Sequence, residues 1–311
     1  MEDSSTDVQG KRRRSRSLAF AALAALAVIW GYGWVTTRVA LRYAEPSTFA
    51  AMRTFLGAVC LFAVIVVLKR PLRPKALPLT AAIGLLQTAA FAGLAVWAVR
   101  YSGAGKTSVL AYTMPFWLLL LAWVVLGERL HGLQWLALVL AIGGLVSIFS
   151  PWKFRGAILG DALAIGAAVS WAASAVLVKL LRNRHEVDLL SLTAWQLLLG
   201  SLLLVIMAAI TANRSPVWSG SFVAALLYQV LLVTALAYYL WFFVLQLLPA
   251  GLAGLGTLMT PVIGVAAAWL QLEERPGIWE GLGMLLIIAA LAVLTGRELL
   301  RQRRGKRLEL S

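Results

Sequence analysis

The chain has 311 residues, of which 61% are hydrophobic and 13% charged, with a net charge of +15 and a mean hydropathy of +0.85. A soluble domain carries roughly 25% charged residues, so this chain cannot cover its apolar surface with polar groups in water. The positive charge lies in tails and loops beside apolar blocks, which argues for a bilayer as partner and against nucleic acid.

Residues 1–17 are polar and include the basic run Lys11, Arg12, Arg13, Arg14 and Arg16; they read as a disordered cytoplasmic tail. Apolar blocks follow, each about 20 residues long, enough to cross a hydrocarbon layer roughly 30 Å thick as helix. Their spacing predicts helices over 18–37, 47–68, 77–99, 105–126 and 132–150, then over 157–181, 189–211, 221–247, 250–271 and 277–296. The first block is long, contains Trp30 and Trp34 and lacks a small-residue cleavage site, so it reads as a retained helix rather than a signal peptide. Residues 297–311 form a second basic tail. Cys60 lies alone in an apolar block, which excludes an intramolecular disulfide.

Orientation follows from the basic residues. With the amino terminus inside, 19 of the 28 Lys and Arg face the cytoplasm, 8 face the other side, and Arg53 lies within the second helix. Cytoplasm-facing segments collect positive charge, so both termini are expected in the cytoplasm.

An internal repeat links the halves. Met114-Pro115 and Leu126-Gly127-Glu128-Arg129 return as Thr260-Pro261 and Leu272-Glu273-Glu274-Arg275, and Pro115/Pro261, Glu128/Glu274 and Arg129/Arg275 share one offset of 146 residues. The first and sixth helices match more weakly, through Trp30/Trp171 and Arg38/Lys179. Repeats with an odd number of crossings enter the membrane in opposite senses. The expected fold class is thus an all-α integral membrane protein, ten transmembrane helices as two inverted five-helix repeats, residues 18–150 and 157–296. Such repeats support alternating access in secondary transporters.

These doubled motifs, with Pro249-Ala250-Gly251-Leu252-Ala253 ahead of the ninth helix, resemble the EamA-type branch of the drug/metabolite transporter superfamily. The resemblance covers about 18–296. It implies a gradient-coupled carrier of small metabolites in a bacterial inner membrane, and within the branch favoured here an exporter of aromatic and other apolar amino acids. Multidrug or other metabolite export is the alternative within the superfamily. The resemblance also implies a central cavity lined by the third, fourth, eighth and ninth helices and parts of the first and sixth, so Tyr112, Thr113, Met114, Thr257, Met259 and Thr260 become wall candidates. Ser102-Gly103-Ala104-Gly105-Lys106 departs from the Pro-Ala-Gly form of the second half.

Prolines inside membrane helices remove a donor and free carbonyls, which makes Pro115 and Pro261 candidate hinges or, equally, elements that shape a packed bundle. Gly31 and Gly33, flanked by Trp30, Tyr32 and Trp34, could flex the first helix; close helix packing is the commoner use of such residues. Tyr32, Trp34, Trp97, Trp171, Ser174, Tyr238, Tyr239 and Trp241 could give an aromatic, hydroxyl-bearing pathway, although Trp and Tyr also anchor helices at the interface. A charge in the apolar layer costs at least about 2.5 kcal/mol. That singles out Arg38 and Lys179 near helix ends as candidates to attract a substrate carboxylate, ahead of Arg53. Glu128 and Glu274 are expected to cap turns or pair with Arg129 and Arg275.

The sequence offers no metal-ligand spacing, phosphate loop or catalytic triad, and His131 and His185 lie in loops. No cofactor and no enzymatic role are therefore expected. A membrane-embedded enzyme and a channel are the readings of another class. They require a polar catalytic cluster or a pore-lining ring, and neither is evident. The expected partners are a small-molecule substrate and the bilayer, with one chain forming the whole pathway as a functional monomer.

Overall fold

The computed structural model describes residues 3–126, 132–149, 158–247 and 259–308. Among these residues the chain is helical throughout, without strands, and forms ten rods. They are α1 (Asp3–Ala40), α2 (Pro46–Val67), α3 (Leu77–Ser102), α4 (104–126), α5 (Leu133–Phe149), α6 (Ile158–Arg184), α7 (Leu189–Thr211), α8 (220–247), α9 (Met259–Leu272) and α10 (Ile278–Leu308). Seven of the ten are long and apolar enough to cross a membrane, and shorter apolar helices lie in α5, α9 and α10. Large apolar side chains such as Val124, Ile210 and Leu270, 75%, 77% and 85% exposed, cover the outside. An apolar belt on that scale belongs against lipid, where helices satisfy every backbone donor internally.

Local chemistry sets the rod ends. Pro46 opens α2, where a missing N–H costs nothing. Asp188 and Ser219 cap α7 and α8 by accepting from Ser191 N and Phe222 N at 2.9 and 3.1 Å. Both basic tails, expected to be disordered, continue α1 and α10 as helix from Asp3 and to Leu308. Neither tail contains proline, and Lys and Arg are good helix formers. The sequence motifs Gly127-Glu128-Arg129 and Pro249 to Gly256, with Thr257 and His131, lie outside the described residues.

Three rods are irregular. α4 breaks at Tyr112–Thr113, because the Pro115 ring cannot coexist with an unbroken turn over the Ala111 carbonyl. Thr113 donates twice to Leu110 O, through its backbone N at 3.1 Å and its Oγ1 at 2.6 Å, which tightens the chain at the break. α3 and α8 each contain a π-helical segment, Gly84–Ala90 and Tyr228–Leu236, for which the sequence gives no signal. In α8 the carbonyls released by the wider turn find side chains: Thr234 Oγ1 donates to Gln229 O at 2.9 Å and Trp30 Nε1 to Val233 O at 3.2 Å.

The packing obeys the sequence repeat. α3 lies on α6 as α8 lies on α1; α4 meets α6 as α9 meets α1; α7 meets α3 as α2 meets α8. The pairs α2–α7, α4–α9 and α5–α10 map onto themselves when every rod is shifted by five. Small residues permit the close approaches. A Cβ on Gly57 of α2 would lie 2.9 Å from the Thr234 side chain of α8, and one on Gly200 of α7 would lie 2.5 Å from Thr88 Cβ of α3. Such contacts are how helices associate where lipid removes the hydrophobic drive between them.

Candidate functional site

Near the middle of the rods, α1, α2, α3, α4, α6, α7 and α8 enclose a cavity of about 410 Å³. Of the residues expected to form a pathway, Trp34, Tyr112, Met114, Trp171, Tyr238 and Trp241 line it, together with Gly33 and Pro115. The break in α4 explains why Tyr112, Met114 and Pro115 all face inward, since an unbroken helix would spread successive residues around its circumference. The walls are mainly apolar and aromatic, with Thr37, Thr54, Thr88, Gln87, Gln229 and Arg53 supplying polar groups.

The other expected pathway residues fall elsewhere. Tyr32 donates to Gln271 Oε1 at 2.7 Å and sits edge-on to Tyr228, tying α1 to α9 and α8. Trp97 stacks on Tyr101 at the surface, and Tyr239, Met259 and Lys179 are exposed. Thr260 and Pro261 are buried in the first described turn of α9, where Thr260 O lies 2.9 Å from a Cβ placed on Gly31. Ser174 stands one layer behind the wall and donates to Gln87 Oε1 at 3.2 Å. Gly31 and Gly33 are both close-approach positions, the first against α9 and the second against Val233 and Gln229 of α8.

Arg38 is occupied at the end of the bundle away from the termini. It donates through Nη1 to Val99 O and Arg100 O, at 3.0 and 2.8 Å, and its Nε lies 3.5 Å from Glu274 Oε1. Glu274 therefore pairs with Arg38, not with its sequence neighbour Arg275. Its Oε2 accepts from Ala104 N and Gly105 N at 2.7 and 3.1 Å, placing a carboxylate at the positive end of α4. Lys106 acquires a role there: its Nζ is 2.8 Å from both Asp161 Oδ2 and Glu280 Oε1, while Ser102 Oγ donates to Asp161 Oδ1 at 2.7 Å. These contacts join α3, α4, α6 and α10 at one face.

By sequence Arg53 ranks below Arg38 and Lys179, and nothing singles out Gln87 or Gln229. Arg53 Nη1 donates to Gln229 Oε1 at 2.9 Å, and Gln229 Nε2 reaches Gly33 O, Thr36 Oγ1 and Thr37 Oγ1 at 2.6, 2.9 and 3.0 Å. The available signal is polarity alone, since Arg53, Gln87 and Gln229 each stand inside an apolar block, as other Gln residues do.

A family model described as the EamA-like transporter family matches residues 17–150 and 158–296, the two segments that the packing relates. The chain belongs to the EamA-like transporter family. Its relatives include the "Uncharacterized transporter YoaV" of Bacillus subtilis (strain 168), 31% identical with 86% of this chain and 93% of that one covered. Another is the "Probable amino-acid metabolite efflux pump" of Escherichia coli (strain K12), 28% identical over 86% and 91% of the two chains. A solved crystal structure shares the fold, with a TM-score of 0.63 at 18% identity, covering 92% of this chain and 98% of its own. In this EamA-family member both matched segments build the cavity, α1 to α4 from the first and α6 to α8 from the second.

Proposed function

We propose that the protein is a secondary exporter of amino acids, aromatic and other apolar ones, working by alternating access. Its ten helices cross a bacterial inner membrane as two inverted repeats, with both termini in the cytoplasm and one chain forming the whole pathway. The observation that carries this reading is the mid-bundle cavity itself. It is walled by both repeats, is of a size that holds a small metabolite, and presents the rings of Trp30, Trp34, Trp171, Tyr238 and Trp241. The name of the Escherichia coli relative supports amino-acid metabolites as cargo.

Movement between the repeats uses the irregular positions. Pro115 and Pro261 are the hinges of α4 and α9, and Gly31 and Gly33 are the contacts along which α1 slides against α9 and α8. Tyr32, Arg38, Trp97, Ser174, Lys179, Tyr239, Met259 and Thr260 then border the path outside the central cavity. The test is flux through purified protein in liposomes, with labelled phenylalanine, tryptophan, tyrosine and leucine beside cationic dyes. Saturable counterflow of the amino acids is expected. Movement of none of them would end the reading, and movement of the dyes alone would replace it with multidrug export.

A further inference from the structure

The cavity carries a charge on one side only. α2 and α7 align through Gly57 and Gly200, and at that same offset Arg53 of the first repeat matches Gln196 of the second. The two glycines occupy equivalent contacts, on Thr234 of α8 and Thr88 of α3, so the alignment is one of structure as well as sequence. Gln196 is buried outside the cavity wall, whereas Arg53 is part of that wall. The repeat therefore supplies a neutral amide in one half and a guanidinium in the other.

This guanidinium is held and left incomplete. Gln229 is 1% exposed, and its Nε2 faces the Gly33 carbonyl and two hydroxyl oxygens, which fixes the amide so that Oε1 must point at Arg53. Arg53 Nη1 takes that oxygen, while Arg53 Nε is buried without a hydrogen-bond partner. No Asp or Glu lines the cavity among the described residues, and no described carboxylate pairs with Arg53. An unsatisfied buried donor on a cation is costly. An arginine fork whose orientation is already set and whose donors are not all taken matches a carboxylate in geometry and charge.

We infer that Arg53 is the carboxylate-binding group of this cavity, and that the cargo is recognised as an apolar or aromatic acid, with no counter-charge provided for an ammonium. The inference rests on the export reading above and narrows it. A monoanionic acid neutralises the cavity outright, whereas a zwitterion brings a second charge that only neutral oxygens can meet. The corresponding 2-oxo acids therefore bind at least as tightly as the amino acids, and decarboxylated amines bind poorly.

The experiment is competition against labelled phenylalanine on the purified full chain in detergent at neutral pH. Unlabelled phenylalanine, phenylpyruvate and phenethylamine are the competitors, and the proteins are wild type, Arg53→Gln and Arg53→Lys. Wild type is expected to prefer phenylpyruvate over phenethylamine by about tenfold or more. Arg53→Gln, which gives the first half the residue of the second, should lose acid affinity by a similar factor and erase the preference, and Arg53→Lys should restore part of it. Unchanged acid affinity in a folded Arg53→Gln protein that still carries phenylalanine in liposomes would overturn the inference and leave the export reading standing. Should Arg53→Gln fail to fold, the wild-type preference decides: equal or better binding of the amine overturns it. Failure of every acid and amino acid both to bind and to move would overturn both.

Discussion

Glu274, just beyond the end of α9, accepts a 2.7 Å hydrogen bond from Ala104 N at the start of α4, joining the two repeats through one carboxylate. The same group faces Gly103, whose φ of +82° and open side make room for it: a Cβ there would stand 2.8 Å from Glu274 Cδ. Glu274 makes two kinds of contact, a partly exposed ion pair with Arg38 and a cap on two amides, and substitutions separate them. Glu274→Gln keeps an acceptor and removes the charge, so its cost should stay below about 1 kcal/mol. Glu274→Ala also strips the acceptor from Ala104 and Gly105 and should cost about 1–2 kcal/mol. Unfolding of the two variants in detergent, followed by thermal melts or denaturant titration, orders them; equal losses would mean that the charge, not the cap, dominates.

How much of this was legible beforehand depends on what each residue's role requires. Apolar length and the Pro115/Pro261 repeat suffice for rods and halves, because a bilayer imposes segment length directly. Trp34, Tyr112, Met114 and Trp171 could be placed on the right helices, and the structure puts them in the cavity wall. Trp97 and Tyr239 could not be told apart from them, since a membrane helix is apolar on all sides and its sequence carries no amphipathic stripe to fix its rotation. The π segments worsen this by shifting the facing residues of α3 and α8 partway along each rod, which conceals Gln87 and Gln229. What Arg38 and Arg53 each do is set by neighbours from distant parts of the chain: Glu274 occupies the first, and Gln229 holds the second without neutralising it.

Lys106 bridges Asp161 and Glu280 with side chains that are 10%, 3% and 34% exposed, respectively. Removing one member of a buried pair leaves an uncompensated charge, at about 3–5 kcal/mol. Lys106→Met strands two carboxylates and should be the most damaging substitution of the three. Asp161→Asn keeps the Ser102 contact but loses the buried charge, and should come second. Glu280→Gln, at the wetter end, should cost about 1 kcal/mol or less. Melting temperatures of the purified variants test the order, and a Glu280 variant as unstable as the Lys106 variant would show that the cluster is anchored from α10 and not from α6.

Helix contact through glycine gives a graded series. A Cβ on Gly200 would lie 2.3 Å from Gly84 O, a backbone atom that cannot step aside, whereas on Gly57 it would meet only the Thr234 side chain, at 2.9 Å. Gly281 has nothing within 4 Å of the same position. Gly200→Ala should therefore destabilise by about 1–3 kcal/mol, Gly57→Ala by less, and Gly281→Ala should be neutral or stabilising by up to about 1 kcal/mol through helix propensity. Thermal unfolding of the three single variants measures the series directly. A neutral Gly200→Ala would mean that α3 and α7 are free to separate at this contact.

The break in α4 ties stability to transport in opposite directions. Pro115 lines the cavity immediately after the Tyr112–Thr113 turn, and both Tyr112 and Met114 owe their inward positions to that turn. In Pro115→Ala the new amide can donate to the Ala111 carbonyl, closing the missing rung and removing the ring that opposed it. The variant should gain about 1 kcal/mol or more in stability, and its straighter α4 should turn part of the Tyr112–Met114 wall out of the cavity. A hinge that has been made rigid slows the exchange between the two access states, so flux in liposomes should fall while the protein melts at a higher temperature. Pro261→Ala tests the repeat-related position, and the double variant should be slower than either single one. If the double variant transported at the wild-type rate, the bend would be a feature of packing alone, and the motion between repeats would have to come from sliding at Gly31 and Gly33.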